Sequence, residues 1–397
     1  MSHLERVDLS PPTRPRLAER VATLPPSGIR QFFDLVIGRE DIVSLGVGEP
    51  DFVTPWRIRE AAIHALNRGE TSYTSNAGLA SLRRAVADYL GRRFGVSADP
   101  ETELLITVGA SEAIDLALRS VLNPGDEVIY LEPAYVAYEA LIRLAGGIPR
   151  ALPLRAEQGF GVDWAGLESL MSPRTRALVV NYPCNPTGMS LKPEEVVKLA
   201  RLAAQHEIVL ISDEIYAELS YGPAHHCLAA VPEAADWTVL ISGFSKAFAM
   251  TGWRIGYAAG PAEIIGGMTR IHQYGMLCAP ILAQRAAECA LAEGFADMAE
   301  MVETYRQRRN YFQAGLNEAG LPTLLPDGAF YMFPSIAPTG LDSMTFCRRL
   351  LEEEGLAVVP GAAFGPAGEG HIRASYAVGF DRLDLALAAL RRFLNRL

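Results

Sequence analysis

The chain has 397 residues, 49% apolar and 21% charged, which excludes a disordered polymer and exceeds what one simple core holds, so two domains are expected. A formal net charge of −10 without a localised basic face argues against a nucleic-acid role. Five cysteines lack CxxC spacing, Met1–Arg6 lacks an apolar signal core, and no apolar run reaches membrane-spanning length; free thiols in a cytoplasmic enzyme are the expectation.

Residues 1–16, rich in Pro and Arg, are expected to form an arm that orders only against a neighbour. Helical apolar spacing from Leu17 to Ile37, interrupted at Pro25-Pro-Ser-Gly28, predicts two short helices. Asp41 to Val47 reads as a strand running into Gly48-Glu-Pro-Asp-Phe52, where the glycine either admits a ligand close to the backbone or merely turns before Pro50. A helix from Thr54-Pro55 to about Arg68 is followed by a polar link carrying Tyr73, and then by a helix from Leu79 to Phe94. The apolar run Leu104 to Val108 turns at Gly109 into an amphipathic helix that begins Ala110-Ser111-Glu112. Free N–H groups and the positive helix end at such a turn suit a phosphate, although neither GxGxxG nor GxxxxGK[ST] is present.

Strands then alternate regularly with helices. The predicted strands are Glu127 to Leu131, Gly147 to Leu154, Ala177 to Tyr182, Glu207 to Ser212, Trp237 to Ser242 and Arg254 to Ala259. Helices are predicted over Ala134 to Ala145 with Tyr135 near its start, around Trp164 to Met171, and over Pro193 to Gln205. Continuous apolar strands alternating with helices imply an α/β domain with a mostly parallel sheet covered on both faces. Beyond Pro280 a long helical region to Ala319 bears the basic run Arg306-Gln-Arg-Arg-Asn310, read as a solvated face. Strands near Phe330, Ala357 and Arg373, with a helix from Ser343 to Glu353, make a smaller α+β unit; Gly361 to Gly370 reads as a flexible loop. The expected division is a large domain over 48–290 and a small one from 1–47 together with 291–397.

Only three lysines stand against 33 arginines. Lys192 precedes a helix start, and Lys198 lies four residues after Glu194, the spacing of an exposed ion pair. Lys246 instead follows an apolar strand and lies among Gly, Ser, Phe and Ala. Only a primary amine whose pKa can be lowered forms a Schiff base with an aldehyde, which arginine cannot do. Asn185, Asp213, Tyr216 and Lys246 all fall at or just beyond the C-terminal ends of predicted strands, the edge where open α/β sheets bind ligands. His225-His226-Cys227 has no accompanying ligand cluster and reads as a polar loop, not a metal site.

Five segments carry a family resemblance: Gly48-Glu-Pro-Asp-Phe52, Asn185-Pro-Thr-Gly188, Asp213-Glu-Ile-Tyr216, Ser245-Lys246 through Arg254, and Arg373-Ala-Ser-Tyr376. In this order and spacing the chain resembles class I, fold-type I pyridoxal-phosphate aminotransferases, near the prokaryotic aspartate and aromatic amino acid group. The resemblance implies pyridoxal 5'-phosphate as cofactor, linked to Lys246, which also moves the Cα proton. It implies that Asp213 holds the pyridine nitrogen protonated and that Tyr216 and Asn185 bond the phenolic oxygen. Tyr135 would stack on the ring. The phosphate would take the turn Gly109-Ala110-Ser111, Ser245 and Arg254, with Tyr73 reaching the neighbouring subunit of a homodimer with shared sites. Arg373, Asn185 and the Gly48 N–H would grip the substrate carboxylate, and Ile29 and Phe330 would close over its side chain.

Two positions depart from frequent family forms. Gly243 stands where a serine commonly lies three residues before the lysine, and Ser111 stands where some aspartate-preferring relatives carry lysine. The implied reaction is amino transfer from an L-amino acid, aromatic or of broad type ahead of aspartate, to a 2-oxo acid such as 2-oxoglutarate. Another fold-type I enzyme, such as a C–S lyase or decarboxylase, is the alternative; a regulator would need a DNA-binding segment. No metal is implied.

Overall fold

The computed structural model describes residues 17–24, 42–222 and 224–397. Ile29 and most of the region expected to hold two N-terminal helices lie outside these residues; the helix Glu19–Ala22 lies within them.

The main sheet takes β2 (Leu104–Thr107), β3 (Glu127–Glu132), β4 (Ile148–Pro153), β5 (Thr175–Asn181), β6 (Val209–Asp213), β7 (Thr238–Gly243) and β8 (Gly256–Ala259). Their order is β2-β8-β7-β6-β5-β3-β4. The pairs from β7 to β4 are parallel, whereas β8 runs antiparallel to both β2 and β7. The sheet is therefore mixed, with one reversed strand that apolar pattern alone does not reveal.

Alternation along the strands explains why their apolar runs are continuous. Val128, Val179 and Ile211 pack on one face with Ile114, Leu118 and Met268. Ile129, Val180 and Leu210 pack on the other with Val196, Leu199 and Leu167. Successive side chains point to opposite faces, so a strand covered on both sides needs apolar residues throughout, each contributing about 1.5–3 kcal/mol when buried.

Smaller sheets lie outside this one. The strand β1 (Val43–Ser44), shorter than predicted, pairs in parallel with β10 (Leu356–Ala357). The strands β11 (Val359–Pro360), β12 (Ile372–Ser375) and β9 (Tyr331–Met332) form an antiparallel sheet in the order β11-β12-β9. The long helical region divides at Gly294 into helices Ile281–Glu293 and Phe295–Glu318. A C-terminal helix, Phe380–Leu394, has no counterpart among the predicted elements.

Three local expectations are corrected. Arg308 and Arg309 are buried: Arg308 Nη1 bonds both Asp51 carboxylate oxygens at 2.8 and 2.9 Å, and Arg309 Nη1 donates to the Pro326 carbonyl. The run from Gly361 to Gly370 forms two short 3-10 turns and is anchored where the Ala367 N–H donates to buried Glu132 at 2.7 Å. Lys198 does not pair with Glu194; its ammonium lies 4.1 Å from the centre of the Trp164 ring, a cation–π contact.

Candidate active site

The C-terminal edge of the parallel strands opens into a pocket. Ala110, Ser111, Tyr135, Asn185, Asp213, Tyr216, Ser245 and Arg254 line it. Loops and helix starts far apart in sequence meet here because parallel strands all end on the same side.

One end of the pocket is an anion cup. Gly109 precedes the helix Ala110–Val121 at φ 80°, where no side chain caps the helix, so its first N–H groups face outward. A Cβ at Gly109 would lie 2.6 Å from Arg254 Nη2, and one at Gly256 would lie 2.7 Å from the Ala110 nitrogen. Both glycines thus keep the guanidinium and the helix start close together. Beneath the cup, Glu112 accepts from the Val108 N–H at 2.5 Å and bonds buried His272 Nδ1 at 2.8 Å, fixing the turn from behind.

At the floor lies Asp213, the last residue of β6 and buried. Tyr138 donates to its Oδ2 at 2.6 Å and the Ile215 N–H to its Oδ1 at 3.2 Å. Burial still prevails and raises the carboxyl from 3.8 to about 6. Asn181 Nδ2 donates to the Asp213 carbonyl at 2.8 Å, and Asn181 Oδ1 accepts from the Asn185 N–H at 2.9 Å, so β5 and β6 are locked together at this edge.

Lys246 follows β7 and reaches back to Gly48, donating to its carbonyl from 2.6 Å. Burial lowers its ammonium from 10.5 to about 8; Glu49 opposes this, while Arg373 and Arg254 add to it. Arg373, on β12, is buried and donates through Nη1 to Asn185 Oδ1 at 2.9 Å and through Nη2 to the Gly46 carbonyl at 2.6 Å. Its Nε is buried without a partner among the described residues, an uncompensated donor that suits an incoming anion. The guanidinium also stacks 4.4 Å from the Tyr331 ring and 5.0 Å from that of Phe364.

The family pattern described as "Aminotransferase class I and II" matches residues 40–390. The chain belongs to the class I and II aminotransferases. The YugH protein of Bacillus subtilis (strain 168) is 50% identical over 380 residues, covering 96% of this chain and 98% of that protein. The aromatic-amino-acid aminotransferase 2 of Thermococcus litoralis is 41% identical, with 96% and 98% covered. A solved structure of the Thermus thermophilus aspartate aminotransferase with maleate superposes with a TM-score of 0.91 at 40% identity, covering 96% of this chain and 100% of that one. The fold is that of the fold-type I pyridoxal-phosphate aminotransferases, related to their aspartate and aromatic members.

Within this aminotransferase fold, Lys246, Asp213, Tyr216, Asn185, Ser245, Arg254, Gly109, Ala110 and Ser111 gather at one edge, with Gly48 and Arg373 opposite. Tyr135 lines the pocket from the segment before the helix Ala137–Leu144, not from within a helix as expected. Phe330 is fully buried, its ring edge-on to Tyr216 and 5.6 Å from the Lys246 ammonium. Tyr73 is 83% exposed and stands apart from the pocket. At Gly243 a Cβ would lie 2.9 Å from Gly256 Cα and 3.0 Å from the Ile255 carbonyl, so the β7–β8 pairing leaves little room for the serine that the resemblance leads one to expect there.

Sequence reasoning missed Tyr138, Asn181 and Tyr331. The first two lie inside predicted elements and carry no motif of their own. Tyr331 falls within the strand predicted near Phe330, and its place directly after that residue is the one signal for it. His225 bonds Glu214 at 2.6 Å, and no group of three or more metal-ligating side chains exists among the described residues.

Proposed function

We propose that this pocket holds pyridoxal 5'-phosphate and that the protein moves the amino group of an L-amino acid to a 2-oxo acid such as 2-oxoglutarate. The observation that carries the proposal is geometric: the buried Asp213 carboxyl, the helix start at Ala110 and Ser111, Ser245 and Arg254 line one pocket, and Lys246 extends from beside Ser245, with burial lowering the amine and raising the carboxyl. The donor set fits the cofactor: an anion cup at one end, an acid hydrogen-bonded by the neutral donors Tyr138 and the Ile215 N–H at the other, and aromatic Tyr135 between. Pyridoxal phosphate, when bound, supplies the electron sink that stabilises charge left at the substrate Cα after proton loss.

In this reading Lys246 would hold the cofactor through its amine and, whenever that amine is free, would carry the proton from the substrate Cα. Asp213, oriented by Tyr138, holds a proton on the pyridine nitrogen. Tyr216 and Asn185 donate to the phenolic oxygen, and Tyr135 covers the ring. The N–H groups of Ala110 and Ser111, with Ser111, Ser245 and Arg254, bind the phosphate. Arg373, with Asn185 and Gly48, orients the substrate carboxylate.

Aromatic or broad apolar donors are favoured because Ser111 provides no second cation and the Arg373 guanidinium is flanked by Tyr331 and Phe364. Phe330 contributes to the apolar wall behind this site, and Ile29 is assigned to the substrate side chain from its sequence position alone. A homodimer is included in the proposal: Tyr73, Tyr274 and Met276 are 83%, 87% and 55% exposed, and Asn76 Nδ2 donates to the Leu277 carbonyl, joining the two segments that bear them. In that dimer Tyr73 reaches the partner's phosphate. The domain division at 48–290, with 1–47 and 291–397 apart, and a cytoplasmic setting complete the proposal; no helix among the described residues is long and apolar enough to cross a membrane.

The test is optical. Protein loaded with pyridoxal phosphate is mixed with a panel of amino acids, and its visible band is followed. Loss of the band with aromatic donors and its return on adding 2-oxoglutarate are the expected results. Stable binding with no donor-dependent change, or release of a lyase or decarboxylase product, would refute amino transfer.

A further inference from the structure

Tyr331, on β9, is 1% exposed and does not line the cofactor pocket, yet it touches three parts of the candidate site. Its hydroxyl lies 2.8 Å from that of Tyr216. Its ring faces the Arg373 guanidinium at 4.4 Å. A Cβ added at Gly48 would lie 2.7 Å from its oxygen, so the first residue of the Gly48-Glu-Pro-Asp-Phe52 segment is closed against it.

The hydrogen between the two phenols can be assigned by what each can reach. A buried hydroxyl proton needs an acceptor. Tyr331 has one, Tyr216 Oη, among the described residues. Tyr216 lines the pocket, where the phenolic oxygen of a bound cofactor would accept its proton. If Tyr216 donated to Tyr331, the Tyr331 proton would be stranded.

We infer that Tyr331 is a positioning residue that donates to Tyr216 and so commits the Tyr216 proton to the cofactor's phenolic oxygen. This rests on the cofactor reading given above. Chained hydroxyls polarise one another, so the outer bond strengthens the inner one and favours the anionic form of the oxygen it meets. The ring has a separate task, flanking Arg373, and this task survives loss of the hydroxyl. Hydroxyl and ring are therefore separable by substitution.

The experiment is a spectral pH titration of the cofactor-loaded protein, for Tyr331→Phe, Tyr216→Phe and the double variant. In Tyr331→Phe the midpoint of the visible transition is expected to rise by about one pH unit, as for loss of one hydrogen bond that favours the anion. KM for the amino acid should stay within about twofold, because the ring at Arg373 is kept. In the Tyr216→Phe background the same change should give no additional shift, since the acceptor is gone. Gly48→Ala, which crowds the Tyr331 oxygen, should shift the midpoint in the same direction and serves if Tyr331→Phe does not fold. An unchanged midpoint in Tyr331→Phe and Gly48→Ala, or equal shifts with and without Tyr216, would overturn the inference while the cofactor reading stands. Absence of a visible band in the unsubstituted protein would overturn both.

Discussion

The Lys246 ammonium donates to the Gly48 carbonyl across 2.6 Å, joining residues 198 apart in sequence. This contact ties the end of β7 to the Gly48-Glu-Pro-Asp-Phe52 segment, which is itself held by the ion pair between Asp51 and Arg308. An amine with a fixed acceptor at its resting position is oriented before any ligand arrives.

Replacing Lys246 by Met should abolish amino transfer and also reveal what burying the charge costs. With the folded value near 8 and the ordinary value 10.5, the cation is disfavoured in the folded state. That cost is fully present below pH 8 and disappears as pH rises toward 10.5. Cofactor-free Lys246→Met should therefore melt above the unsubstituted protein at pH 7, with the gap closing by pH 10. Melting curves over this range check it.

Tyr138→Phe removes the side-chain donor to Asp213. That bond holds the carboxyl down against burial, so its loss moves the midpoint, now about 6, upward by roughly one pH unit. A folded carboxyl raised in this way is stable in its neutral form at low pH and becomes costly as pH rises through the midpoint. The acid-side loss of cofactor affinity should shift to higher pH accordingly. Equilibrium dialysis between pH 5 and 8 measures the shift.

Arg373→Lys keeps the charge and loses the planar pair of donors. KM for the amino acid should rise roughly thirtyfold, equivalent to about 2 kcal/mol, with a smaller change in kcat. Steady-state kinetics with one donor at saturating 2-oxo acid decides this.

Arg308→Met strands Asp51, which accepts two bonds from the guanidinium. Loss of about 1 kcal/mol of stability is expected, because Asp51 is exposed and water takes up most of what the guanidinium gave it. Urea unfolding of the two proteins gives the difference.

Gly243→Ser should not improve phosphate binding, although the family resemblance leads one to expect a serine at this position. The added Cβ meets backbone at 2.9 and 3.0 Å, so the strand pairing must give way and stability should fall by about 1–3 kcal/mol. Cofactor dissociation constants and melting temperatures together test both halves of the statement.

The site was legible where chemistry sits at strand ends. Lys246 stood out because lysine is rare here and follows an apolar strand; Asp213 and Asn185 followed from the same edge rule. Residues that act from within another element were hidden. Tyr138 looks like any apolar-face helix residue until the fold brings it to Asp213, 75 positions away. Arg308 and Arg309 read as solvated because local charge density says nothing about Asp51 or Pro326. The reversed direction of β8 was equally hidden, since a strand buried on both faces has the same composition whichever way it runs.

That reversal has a further meaning for how the site is held together. Because β8 returns beside β7, Ser245, Lys246 and Arg254 ride on one hairpin, and the span between the cup and the amine is set locally. Gly48 and Arg373 belong to segments outside the main sheet, held to it by the Lys246–Gly48 and Arg373–Asn185 bonds and by backbone bonds such as Ala329 N–H to Leu219 and Ala134 N–H to Phe364. The distance from Ser245 and Arg254 to the Lys246 amine is therefore fixed within one turn of chain, whereas the Arg373 guanidinium depends on how a separate small sheet seats against this edge.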